Sequence, residues 1–474
     1  MKLNPIDLLV IISYFLFIFI MAFKSKRKTN NNNNLEQQYL ASRSLTFKES
    51  ICSIVATEVS ALTFLGIPAF AYQNNFSFIH IYIGAIFGRI VIAKFILPYF
   101  YNNGLTIYEA MAKNGTRNGQ RFIALFYSFN KFLAVGVRLF SGSILISSFF
   151  DISIYLAVFI ISLITFIYTF IGGLKAVVRT DMLQLFILVS GGVIAHFVIP
   201  SIGDSSWSHY MSLAYENGKI SLLTSGHSFS FITGIICGFL FDICTHGVDQ
   251  DFAQRLIATK NLKTGQRSIF YSSFLSIGVG LLFLGVGALL WSFYQTHPLT
   301  VNIKPDKLFA YFITEHFPVG LKGLMVAGVM AATMSTLDSS INALSACFHN
   351  DIFQRTNKGH IQNHYRNDVI FITMLFLVIA YIASTSDQIL ILGLKIASWT
   401  GGSLLALFFA TSFFRKFTKA TLDAQTVIMS YFFGILGVYI NSFILKYSWH
   451  FNVYFGFFFC FAMSTLLGRI RRTI

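Results

Sequence analysis

Thirteen stretches of this chain are apolar over about the 20 residues that a helix needs to cross the hydrocarbon of a bilayer. They run approximately over 6–23, 47–72, 78–99, 121–149, 152–171, 175–200, 227–250, 267–296, 319–349, 367–385, 388–414, 424–445 and 448–468. Away from water, backbone groups must bond within their own segment, so runs of this kind fold as helices. The predicted class is an all-α polytopic membrane protein with about 13 transmembrane helices and no soluble domain of any size. Only 11% of the residues are charged, against roughly 25% in a soluble chain.

Basic residues indicate how the runs are threaded. Lys24, Lys26, Arg27 and Lys28 follow the first run with no small-residue cleavage site before them, which reads as a retained span and not as a removed signal peptide. With that loop inside, alternate loops place 24 of the 35 Lys and Arg residues on the inner side and 6 on the outer, the bias expected of cytoplasmic loops. The N-terminus is then expected outside and the C-terminus in the cytoplasm. The same bias accounts for the net charge of +16, so no nucleic-acid partner is needed to explain it. The tract Asn30–Asn34 reads as part of a flexible cytoplasmic loop. Cys52, Cys237, Cys244, Cys347 and Cys460 lie in or at apolar runs without metal-ligand spacing and read as packing residues.

Polar residues inside the runs carry the functional signal. In the stretch Ala331–Ser340, the residues Ala332, Ser335, Thr336 and Ser339 recur at helical spacing and share one face. That face offers hard oxygens at bilayer depth, which suit a dehydrated alkali cation. Small residues on one face also let helices pack closely, and both readings stand. Asp338 beside them favours a functional role, as an ionisable group within a span does by default.

Two runs are expected to break. In 47–72, Thr57, Glu58, Ser60 and Thr63 precede Gly66 and Pro68, which weaken the helix and would free carbonyls near Ala56 and Val59. Such backbone is tolerated at depth where it lines a cavity or an ion site, although a plain proline kink gives the same pattern. Glu58 needs a cation, a proton or a basic partner. Lys131 and Arg138, seven residues apart on one helix face, are candidates, either in a structural Glu58–Arg138 pair or in a substrate site. The run 227–250 carries Gly234, Gly238 and Gly247, with Asp242 and His246, and its interruption would mirror the first. Paired interrupted spans in two halves of a chain point to a transporter's central site. Asp181 and Gln184 sit at i, i+3 one turn into the run 175–200, where an acid suits an ion exit path.

Several of these stretches, taken together and in order, resemble the sodium:solute symporter family. The run Gly172-Gly173 to Asp181 and Gln184, and the run Ala331–Ser340 with Asn342 and Asp351, are similar to its two signatures. Asp249-Gln250 with Gln254-Arg255, and Ser60 to Thr63 with Gly66 to Tyr72, are similar to it as well. The likeness lies nearer the monocarboxylate, vitamin and sialic-acid branch than the glucose branch. It implies a LeuT-like fold of two inverted five-helix repeats, 47–200 and 227–414, with discontinuous first and sixth core helices. An extra helix over 1–23 and a loop over 24–46 would precede them, and two extra helices with a short basic tail, 424–474, would follow.

The resemblance also implies sodium-driven uptake by alternating access in a plasma membrane, expected to be a bacterial inner membrane. The sodium positions carried over are Ala56, Val59, Ala332, Ser335 and Thr336, and those for a second sodium are Asp181, Ser335, Asp338 and Ser339. Asp338 places a carboxylate where a hydroxyl is expected. The solute, a small organic molecule with an anion slightly favoured, is expected to touch Thr57, Glu58, Ser60, Thr63, Phe78, Tyr82, Arg138 and Asp242. No His-Glu-x-x-His, Gly-x-Ser-x-Gly or phosphate-cradling loop occurs, so an enzyme is not expected. The alternatives are a proton-coupled or uncoupled carrier, which Asp181, Glu58 and Asp338 keep open, and a solute sensor on the same fold.

Overall fold

The computed structural model describes residues 4–26, 35–113, 115–223, 229–299, 301–355, 361–383, 389–418 and 420–473; the Asn30–Asn34 tract lies outside them. Among the described residues the chain is helical, and the only β pairings are two isolated bridges. Helix α1 spans Pro5–Lys26, α2 Phe47–Glu58, α3 Ala61–Gln73, α4 Ile79–Val91 and α5 Arg117–Phe150. Helix α6 covers Ile154–Ile202, α7 Phe231–Asp242, α8 Gln250–Ile257, α9 Leu262–Thr296 and α10 Leu321–Cys347. Then follow α11 Ile361–Ala383, α12 Ile389–Phe408, α13 Ala424–Tyr439 and α14 Asn452–Thr473.

Nine helices among the described residues are long and apolar enough to cross a membrane, and two bent pairs bring the number to eleven. The thirteen runs read from sequence exceed this partly because Ile154–Phe170 is too short to be counted. It is joined to the next span within α6 through Gly173, whose φ of 57° breaks the helix. A left-handed backbone there costs a glycine little, so the Gly172-Gly173 pair marks a turn between two spans.

Both expected breaks are present, but displaced. α2 and α3 meet at 62° around Val59 and Ser60, whereas Pro68 lies inside α3. Pro68 removes a donor without ending the helix, as membrane helices tolerate. The break falls where Val59 and Ser60 are both extended, and the Ser60 carbonyl starts the next helix by accepting from Thr63 and Phe64. The second bent pair, Phe231–Gly247 and Gln250–Ile257, meets at 65°. Gly234 and Gly238 interrupt nothing. A Cβ on Gly238 would lie 2.1 Å from the Ile81 carbonyl oxygen, so this glycine lets α7 pack directly on α4.

The core is centred on α10. Every residue from Met325 to Cys347 is buried, because small side chains admit neighbours on all faces. Helices α1, α2, α5 and α6 pack against it. Asp7 of α1 fixes the extra helix in place by accepting from the backbone N–H of Gly320 at 2.7 Å and of Gly323 at 2.8 Å. A carboxylate at the positive end of α10 satisfies donors that the helix leaves unpaired.

Candidate functional site

A capping box, Thr46 with Glu49, starts α2, and the helix ends at Glu58 with Val59 extended. Among the described residues, no donor bonds the carbonyls of Ala56, Thr57, Glu58 or Val59. These are the last carbonyls of a helix, which need an outside partner. They meet α10 and α6 at a narrow recess lined by Ala56, Val59, Ala332 and Ser335, with Gln184, Leu185 and Leu188 on its remaining wall. The Ser335 hydroxyl donates to Asp181 at 2.5 Å, which leaves its oxygen lone pairs for a cation; Thr336, whose hydroxyl donates to the Ala332 carbonyl at 3.2 Å, is not among the residues lining the recess. Neutral hard oxygens from two remote segments, backed by leucines, suit an alkali cation more than a divalent transition metal.

The sequence pairs Gln184 with Asp181 and assigns it no role, yet it contributes to the recess. It is 1% exposed, and neither end of its amide has a hydrogen-bond partner among the described residues.

The positions carried over for a second sodium are differently furnished. The Asp181 carboxylate accepts from Ser53 at 2.5 Å and from Arg255 of α8 at 3.3 Å. The same guanidinium donates to Ser339, and to Asp251 at 2.8 Å. Asp338 accepts from Tyr168 at 2.5 Å and from Ser339 at 3.2 Å. Arg255 is fully buried and supplies the cation that these oxygens require. A second metal ion does not fit this donor set while the guanidinium is seated in it.

At the second break the groups are likewise taken. The Val248 carbonyl accepts from Tyr108 at 3.1 Å. Asp249 caps α8 at the Asp251 N–H and accepts from Tyr127 at 2.8 Å, while Lys131 reaches both Asp249 and Asp251 at 2.9 Å. Lys131 is thus held by α8 and is withdrawn from the solute candidates.

The sequence leaves open a Glu58–Arg138 pair, and the structure replaces it. Glu58 is bonded to Arg89 of α4 at 2.7 Å and to Ser276 at 2.6 Å. Arg89, fully buried, also reaches Asp242 at 3.2 Å and Ser272 at 2.8 Å, and the His246 ring lies against both Arg89 and Asp242. A buried guanidinium between two carboxylates joins the two broken spans through α4, and no spacing in the sequence singles out Arg89 for that role.

The remaining solute candidates divide. Thr57 is used inward, bonded to the Ser53 carbonyl at 2.9 Å and to Ser339 at 3.2 Å. Phe78 packs its ring among Phe70, Tyr82 and Phe229. The hydroxyls of Ser60, Thr63 and Tyr82 have no bonded partner among the described residues, although Tyr82 lies within electrostatic range of Glu58. Arg138 is half-buried, and its guanidinium makes no hydrogen bond or ion pair among the described residues. The carboxylates that act on it from beyond hydrogen-bond reach, Glu58, Asp249 and Asp251, lie at the two breaks.

Comparison with known proteins agrees with this architecture. The family model of the sodium:solute symporter family matches residues 38–421. The sodium/sialic acid symporter NanT of Aliivibrio fischeri is 27% identical over 314 residues, 65% of this chain and 62% of that protein. The sodium-coupled monocarboxylate transporter 2 of Mus musculus is 26% identical over 389 residues, 78% of this chain and 62% of that protein. The chain thus spans about 62% of the length of these two relatives. A solved structure of a Na+-coupled sialic acid symporter, substrate-bound and outward-open, aligns with a TM-score of 0.87 at 21% identity, covering 98% of both chains. At that identity the likeness shows the fold alone, which is LeuT-like.

Proposed function

The chain belongs to the sodium:solute symporter family, and from that premise we propose that it imports a small organic anion together with sodium by alternating access. The observation that carries this reading is the recess, where carbonyls left open at the first break face the hydroxyl-bearing side of α10. Sodium is held there by Ala56, Val59, Ala332, Ser335 and Thr336. Its role is to supply charge that ties α2 to α10, so that binding favours the state in which both segments are in place. One sodium ion moving inward down about 100 mV supplies roughly 2.3 kcal/mol, besides its concentration gradient.

The sign of the solute follows from the charges left over. Glu58 and Asp242 share Arg89, Asp249 and Asp251 share Lys131, and Asp251 and Asp181 share Arg255, whereas Arg138 has no carboxylate of its own among the described residues. A carboxylate on the solute would complete Arg138 with a charge-assisted bond, and Ser60, Thr63 and Tyr82 would hold its polar remainder beside the ring of Phe78. Thr57, Glu58 and Asp242 shape the site from behind. Asp181, Asp338 and Ser339 lie on the exit path, and the Asp181–Arg255 pair must part for the ion to leave past α8.

The repeats are taken as 47–200 and 227–414, with α1, α13 and α14 outside them. The protein sits in a bacterial inner membrane with its N-terminus outside and its C-terminus in the cytoplasm, where most basic loop residues then lie. Uptake in proteoliposomes tests the reading. A panel of carboxylates, sugars and amines is offered with an inward sodium gradient, a proton gradient or neither. Carboxylate uptake that requires sodium is expected; uptake driven equally by protons, or confined to neutral sugars, would overturn it.

A further inference from the structure

The amide of Gln184 is the feature of the recess that the family pattern leaves unused. We infer that the Gln184 side-chain oxygen is an additional sodium ligand, completing on the α6 side a site whose other oxygens come from α2 and α10. The inference rests on the sodium reading above and goes beyond its five residues.

Three observations support it. Gln184 lines the same recess as Ala56, Val59, Ala332 and Ser335. It is buried in the bilayer-spanning part of α6, and both its amide oxygen and its amide nitrogen are left without hydrogen-bond partners among the described residues. A buried amide without partners costs of the order of 1–3 kcal/mol, so a group in that condition calls for a partner such as a bound ion or water. Finally, apart from Tyr14, the side chains around it offer the amide oxygen no free donor. Leu185 and Leu188 are apolar, and Ser335 already donates its proton to Asp181. Tyr168 is directed to Asp338.

The two ends of the amide then have distinct partners. Tyr14 of α1 comes up against Gln184, and its hydroxyl is buried with no other hydrogen-bond partner among the described residues. The amide nitrogen can donate to that hydroxyl, which leaves the carbonyl oxygen for the cation. An amide carbonyl is a hard neutral ligand of the same kind as the backbone carbonyls of Ala56 and Val59. The site would then draw on three segments of the core, with an added helix, α1, placed behind it.

The test reads sodium binding directly, as the rise in thermal unfolding temperature of purified, detergent-solubilised protein when NaCl replaces choline chloride at constant ionic strength. The wild type is expected to be stabilised by sodium with saturation. Gln184→Leu is expected to raise the half-saturating sodium concentration at least about tenfold, the scale on which metal sites lose affinity when a supporting group is removed. Gln184→Glu, which keeps the shape and adds charge, is expected to lower it.

If the wild type shows no sodium-specific stabilisation, the sodium reading fails and takes the inference with it. If the wild type responds but Gln184→Leu saturates at the wild-type concentration, the inference alone is overturned. Should Gln184→Leu not fold, Gln184→Glu decides: tighter sodium binding upholds the ligand role, and unchanged or weaker binding refutes it.

Discussion

The two broken spans bend by almost the same angle, 62° and 65°, yet one break is left open and the other is filled. At the first, the carbonyls of Ala56 to Val59 have no donors among the described residues, the side chains lining the recess are neutral, and the one cation close by, Arg89, is engaged with the Glu58 side chain and not with those carbonyls. At the second, Tyr108 occupies the Val248 carbonyl, Lys131 pairs with Asp249 and Asp251, and Arg255 pairs with Asp251. A bend frees backbone oxygens in either case. It leaves room for a mobile cation only where the chain has not already supplied donors and positive charge of its own. Arg255 makes the point most directly, since its guanidinium rests among the oxygens that a second sodium would need.

The largest way to break this contrast is to remove the cation built into the second break. Arg255→Met leaves Asp181 and Asp251 buried with one positive charge fewer between them, and it should destabilise the protein by about 3–5 kcal/mol, read as a lowered unfolding temperature. Near-wild-type stability would mean that the second break does not depend on its arginine. Next, the double change Ser335→Ala and Thr336→Ala should strip the first break of its side-chain oxygens. The half-saturating sodium concentration should rise at least about 100-fold, given about 1.5 kcal/mol or more for each contact to an ion. Unaltered sodium dependence would remove the site from this place.

Arg138→Gln sharpens the separation between ion and solute. It should weaken binding of an anionic solute by about tenfold to a hundredfold while sodium-dependent stabilisation stays as it was. Equal loss of both would mean that Arg138 supports the fold and does not meet a solute. The smallest effect is expected at the filled break, where Tyr108→Phe removes the donor to the Val248 carbonyl. A loss of about 1 kcal/mol in stability is expected with no change in sodium response. A shifted sodium response in that variant would erase the distinction between the two breaks.

The residues that meet at the recess are in large part legible in the sequence, and what is not legible has one cause. Ser335 and Thr336 fall on one helix face by spacing alone, and the polar cluster before Gly66 and Pro68 points to open carbonyls near Ala56 and Val59 although neither Gly66 nor Pro68 makes the break. The break occurs at Val59 and Ser60 because extended backbone there is stabilised by what surrounds it, and Pro68 remains helical. Gly234 and Gly238 suggest interruptions in the sequence, yet they are contact points for His80 and Ile81 of α4, a use that depends on neighbours remote in the chain. Glu58 needs a basic partner, and only the packing of the helices makes that partner Arg89 and not Arg138.

The sequence alone determined that the chain crosses a membrane many times, that it is helical, and that two of its spans are discontinuous. These are consequences of local chemistry: apolar length, helical periodicity, and polar residues placed where hydrocarbon would exclude them. Only the tertiary structure decided which oxygens remain open, which charges are already balanced, and that Gln184 stands at the recess with its amide unmet among the described residues. Within the bilayer a charge or an orphan amide is satisfied by whichever helix lies beside it, and that adjacency is fixed by packing among segments far apart in the chain.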